Sequence, residues 1–146
     1  MRKKKIVPSE KILQKRLAKY LDDRHLLWFH PANEAPVTKS QAYLLKLQGL
    51  KAGVPDFMIL EPNQTYHGLA IELKSHYGTP SEKQIKWLLS LSDRGWCARW
   101  VNSEVSFINL VNQYLNDETI SIAKRKSPLY YRNEVLPDYI PIERDV

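Results

Sequence analysis

Asp56, Glu72 and Lys74 are the side chains whose types and spacing are best suited to joint chemistry. Asp56 follows Pro55 directly and opens the apolar run that ends at Leu60, and fifteen residues separate it from Glu72. Glu72 and Lys74 sit in the segment Leu69-Ala70-Ile71-Glu72-Leu73-Lys74. In a strand, side chains alternate, so Leu69, Ile71 and Leu73 face one way while Ala70, Glu72 and Lys74 face the other. A carboxylate and an ammonium therefore leave the strand on the same side, one pleat apart. If the two strands pair, Asp56 and Glu72 converge. Two carboxylates this close in a partly dry site repel, and a hard divalent cation with oxygen ligands neutralises them.

The surrounding pattern predicts the elements that must hold these residues. Ser9 caps a helix with Leu13, Leu17, Tyr20 and Leu21 at helical spacing, ending near Asp22 and Asp23. Leu26 to Phe29 reads as a strand, and the proline-broken segment from His30 to Pro36 as a loop. Thr38 with Gln41 is a capping-box pattern opening a helix over Lys39 to Leu47, stopped by Gly49. Asp56 to Leu60 and Leu69 to Lys74 read as strands. Ser81 with Gln84 is a second capping box, starting a helix with Ile85, Leu88 and Leu89 on its apolar face and Gly95 at its end. Cys97 to Val101 reads as a strand, and Ser103 caps a last helix carrying Phe107, Ile108, Val111, Tyr114 and Leu115. The expected fold is α/β, a small mixed sheet flanked by helices. After Asn116 the pattern is lost, so residues 1–116 read as one domain with a basic tail at 1–8, and 117–146 as an irregular extension whose only apolar cluster is Leu129, Tyr130 and Tyr131.

Taken singly, each site residue has an ordinary explanation: an ion pair on a solvated sheet face for Glu72 and Lys74, a turn residue after proline for Asp56. Together they spell Pro55-Asp56, a spacer, then Glu72-x-Lys74, the signature of the PD-(D/E)xK nucleases. The wider run is more specific. Gly49-Leu50-Lys51-Ala52-Gly53-Val54-Pro55-Asp56-Phe57, then Ile71-Glu72-Leu73-Lys74, then Gly78, Ser81-x-x-Gln84, Trp87, Leu88 and Gly95 resembles the VRR-NUC branch of that superfamily, in particular its small stand-alone members from phages and bacteria. The likeness reaches upstream through His30-Pro31-Ala32-Asn33-Glu34 to Glu10, covering about residues 9 to 115.

The resemblance implies a restriction-endonuclease-like core in which Asp56, Glu72 and the Leu73 carbonyl bind metal and Lys74 orients or activates the attacking water. It places Glu10 at an N-terminal acidic position of the family. The residues agree, since Glu10 heads the stripe continued by Leu13 and Leu17. Favourable charge at a helix's first turn is the local alternative, and a metal-ligand role is the expectation for Glu10. Gln84 matches a family glutamine near the site, while its capping role with Ser81 competes for the same side chain. Gln14, one turn after Glu10, is a further candidate for the pocket. His30, Asn33 and Glu34 match a family loop for which a proline-rich turn is explanation enough. His67, His76 and Cys97 form no metal-ligand spacing, and Cys97 reads as a small apolar strand residue.

Composition narrows the classes. One cysteine in 146 residues excludes a disulfide framework or a Cys-rich zinc module and suits a reducing compartment, and no apolar run approaches the length of a membrane span, so a soluble intracellular protein is expected; the resemblance implies the cytoplasm of a prokaryotic cell or phage-infected host. Residues 1–60 hold 12 basic and 5 acidic side chains against 10 and 11 in residues 61–146, so the N-terminal half carries the whole basic surplus. That is the footprint of a polyanion binder. No Gly-rich phosphate loop, nucleophile elbow or Cys-x-x-Cys is present. The resemblance implies a DNA endonuclease using Mg²⁺, with Mn²⁺ able to substitute, that leaves a 5′-phosphate and a 3′-hydroxyl on branched DNA such as four-way junctions. Paired cuts need two sites, hence a homodimer. An exonuclease or nickase with the same site, and a DNA-binding module with a vestigial motif, are the alternatives.

Overall fold

The computed structural model describes residues 7–31, 38–118 and 120. The basic tail residues Lys3, Lys4 and Lys5, the loop residues Asn33 and Glu34, and the extension's apolar cluster at Leu129, Tyr130 and Tyr131 lie outside them. Along the chain run α1 (Glu10–Asp23), β1 (Trp28–Phe29), α2 (Lys39–Leu47), β2 (Phe57–Ile59), β3 (Leu69–Leu73), α3 (Glu82–Asp93), β4 (Cys97–Val101) and α4 (Glu104–Leu115). Among the described residues, no helix is long and apolar enough to cross a membrane.

The helices start where short hydroxyl side chains can satisfy amides that have no partner inside the helix. Ser9, Thr38, Ser81 and Ser103 each accept from a main-chain N–H three residues on. Only at Ser81 is the box reciprocal, with Gln84 Oε1 accepting from the Ser81 N–H at 2.8 Å. At Thr38 one bond forms, from the Gln41 N–H, so the box expected there is half made.

The sheet order is β1-β2-β3-β4, antiparallel except for the parallel pair β3 and β4. One face of the sheet, with Phe57, Ile59, Leu69, Ile71, Leu73, Cys97 and Val101, packs on Leu13, Leu17 and Leu21 of α1 and on Phe107, Leu110, Val111 and Tyr114 of α4. The opposite face, with Ala70, Ala98 and Trp100, packs on Leu88 of α3. All five residues of β3 are buried, so the solvated face considered for Glu72 does not exist. Alternation assigned the side correctly but not what covers it. Cys97 is fully buried between the layers, and burial pushes its thiol up to about 11.

The strands at the site end are shorter than the apolar runs that announce them. β1 is two residues, because the Leu27 N–H is taken by the Glu61 side chain at 2.8 Å. Asp56 stands just outside β2, its carboxylate turned to the next strand instead of continuing the ladder.

Candidate metal and phosphodiester site

The β2–β3 register builds the centre. Phe57 pairs with Ile71 and Met58 with Ala70, so one step further Asp56 stands opposite Glu72, on the face that α3 covers. Asp56 Oδ2 accepts from the Leu73 N–H at 2.9 Å, fixing its carboxylate across the strand end. Glu72 is 2% exposed. Its Oε1 accepts from Gln84 Nε2 at 2.5 Å and lies 3.3 Å from Lys74 Nζ, whereas its Oε2 is buried with no hydrogen-bond partner. Two donors on one oxygen hold the carboxylate so that the other is left for something else.

Gln84 fills both roles that sequence reasoning set in competition. An amide has an acceptor end and a donor end. Its oxygen closes the capping box and its nitrogen reaches Glu72, so the helix cap is also the site contact. The loop before Asp56 is fastened to the same helix turn. Trp87 Nε1 donates to the Ala52 carbonyl at 3.0 Å. Gly53 has φ +84°, and a Cβ there would stand 2.8 Å from the Lys83 carbonyl carbon and 3.0 Å from the Gln84 nitrogen, so only glycine permits this approach.

The family-loop match and the proline-rich turn expected at His30 give its ring no partner. Its Nδ1 lies 2.6 Å from the Asp56 carbonyl oxygen. A carbonyl has no hydrogen to give, so Nδ1 carries the proton and donates. Asp56 is thus held by a main-chain N–H of β3 and by the side chain of the residue that follows β1. The signal available in sequence was register: His30 directly follows β1, which pairs with β2. Gln14 lies beside the same ring, 3.5 Å from Nδ1, and not against the carboxylates. Glu10 is exposed at the start of α1, near enough that its charge acts on Asp56.

The electrostatics describe a centre short of positive charge. Burial pushes Glu72 up to about 8, with repulsion from Asp56 adding to it and Lys74 opposing. Asp56 is also held above the ordinary carboxylate range, first by burial and then by Glu10, against the Leu73 N–H, His30 and Lys74. Among the described residues no three His, Cys, Asp or Glu side chains are gathered as a ready metal cage. Mg²⁺ requires less, since it keeps several waters and is commonly held by one or two carboxylates together with substrate phosphate oxygens. The unpartnered buried Glu72 Oε2 and two mutually repelling carboxylates fit such a cation.

An Asp facing a Glu across an antiparallel pair, with Lys two residues beyond the Glu, is the arrangement of the PD-(D/E)xK class. The VRR-NUC domain profile matches residues 10–105, and the chain belongs to that family, whose domain is a nuclease of the PD-(D/E)xK type acting on DNA. A solved structure described as a VRR_NUC domain protein is similar to this fold with a TM-score of 0.65 at 24% identity, over 76% of this chain and 91% of that one. No curated protein matches this chain.

Proposed function

We propose that this chain is a divalent-metal-dependent DNA endonuclease that hydrolyses the phosphodiester bond at Asp56, Glu72 and Lys74. The observation that carries the reading is the Glu72 carboxylate, buried at 2% exposure with one oxygen held by both Gln84 and Lys74 and the other without a hydrogen-bond partner. Asp56, Glu72 and the Leu73 carbonyl hold the cation, with Glu10 as the acidic group from α1. Mg²⁺ is the ion this oxygen set suits, and Mn²⁺ substitutes for it. When bound, it stabilises charge developing on the phosphoryl oxygens and acidifies water.

The chain's own residues do the positioning. The Leu73 N–H and His30 fix Asp56, and Gln84 with Lys74 fixes Glu72. Lys74, 17% exposed, presents its ammonium at the edge of the dry region, where it orients the attacking water and offsets charge on the scissile phosphate. The products are a 5′-phosphate and a 3′-hydroxyl. Branched DNA, four-way junctions included, is the substrate class, and a homodimer supplies two sites for paired cuts.

Incubating the purified chain with linear, nicked, flap and four-way DNA, with Mg²⁺, with Mn²⁺ and with EDTA, tests the reading. Endonucleolytic cleavage of branched DNA in either metal and none in EDTA is expected. Cleavage that persists in EDTA overturns the metal site, and cleavage only from free ends makes the chain an exonuclease.

A further inference from the structure

Lys74 leads into a tight turn over Ser75 to Gly78. The Gly78 N–H donates to the Ser75 carbonyl at 2.9 Å, which places His76 and Tyr77 at the two corners of the turn. Tyr77 is 89% exposed, and its ring meets His76 edge to face with centroids 4.7 Å apart. The loop is anchored by site residues at both ends. Lys74 begins it, and at its far end Ser81 and Gln84 tie it to Glu72. The turn also folds back on the strand end, since a Cβ on Gly78 would stand 3.5 Å from Lys74 Cβ. An aromatic side chain is thus held in water on the turn that follows Lys74, three residues along the chain from the group that meets the scissile phosphate, and it belongs to neither core cluster.

We propose that Tyr77 is a stacking platform for an unpaired nucleobase flanking the scissile phosphate, with His76 bracing the ring. The assignment rests on the nuclease reading and names what that site selects. A base inside a duplex has both faces covered by its neighbours. A base at a branch point or in a single-stranded arm has a free face, and every base has a π-face, so such a contact selects DNA shape and not sequence. A single exposed ring on the turn that follows a phosphate-handling ammonium suits one nucleotide better than a protein partner, which would need a contiguous apolar patch.

The test is equilibrium binding of the full chain, in EDTA so that no cleavage intervenes, to a forked duplex with 2-aminopurine as the first unpaired base. Wild type and Tyr77→Phe are expected to quench the probe equally. Tyr77→Ala is expected to leave it bright and to raise Kd roughly 5- to 150-fold for the fork, the range that loss of one stacked base gives, with little change for fully paired DNA and an unchanged salt slope. An alanine variant that quenches and binds like wild type overturns the platform, as does a phenylalanine variant that fails like alanine, which would assign the effect to the hydroxyl. Cleavage by wild type with Mg²⁺ in parallel keeps the two readings apart. A chain that cuts forks with Mg²⁺ while Tyr77→Ala matches wild type in binding loses the platform alone, and a chain that neither cuts with Mg²⁺ nor binds DNA loses both.

Discussion

α2 and α3 begin with the same local pattern, a hydroxyl cap followed three residues later by glutamine, and end up as different objects. α3 closes its box, buries Ile85 and Leu88, and sends Gln84 to Glu72. α2 makes one capping bond and buries no residue, leaving Tyr43, Leu44 and Leu47 more than half exposed. A cap decides where a helix starts. Whether the helix matters to the site depends on what its second side offers the sheet, and here that is Leu88 over Ala70 and Ala98.

Substitutions that erase the distinction between the two helices should have graded effects. The largest is Glu72→Ala, which removes the carboxylate that α3 covers and should reduce cleavage to background while the chain still folds, as circular dichroism and a gel-based cleavage assay will show. Next is packing. Leu88→Ala should cost about 2–5 kcal/mol in urea unfolding, whereas Leu44→Ala, on the helix without a buried residue, should stay within about 0.5 kcal/mol.

The buried pair also sets a pH dependence for the metal-free chain. A carboxyl whose folded pKa is raised holds its proton in the native state after the unfolded chain has released it. Its contribution is therefore complete below the ordinary value of 4.5 for Glu72 and is lost as pH rises toward about 8. Thermal melts in EDTA should fall across that window, and Glu72→Gln should flatten the slope. The smallest effect separates the two glutamines. Gln84→Ala should lower activity roughly 10- to 100-fold by freeing Glu72 and cost about 1 kcal/mol through the cap, while Gln41→Ala should change neither measurably.

Much of this was legible in sequence wherever the signal is local. Cys97–Val101 is a strand over the bounds its apolar run predicts, and Ser9, Ser81 and Ser103 cap the helices expected of them. The Asp56–Glu72 juxtaposition was readable because the period of two fixes sides and pairing fixes register. Sequence could not supply the layer over Glu72, since alternation in Leu69–Leu73 looks the same whether the second face meets water or α3. Nor could it show that one amide would serve as cap and site contact. His30 escaped for a related reason: its function lies in a main-chain acceptor, the Asp56 carbonyl, and no residue type at position 56 announces that.

Cys97 gives the molecule its own reporter. It is the sole sulfhydryl of the chain, fully buried between the sheet and the helices of one face, and burial keeps it protonated at ordinary pH. An alkylating reagent can reach it only when that layer opens. The rate at which a thiol-reactive dye marks the native protein therefore counts openings of the core one molecule at a time, with no engineered label, and cation or DNA that tightens the fold will register as slower labelling.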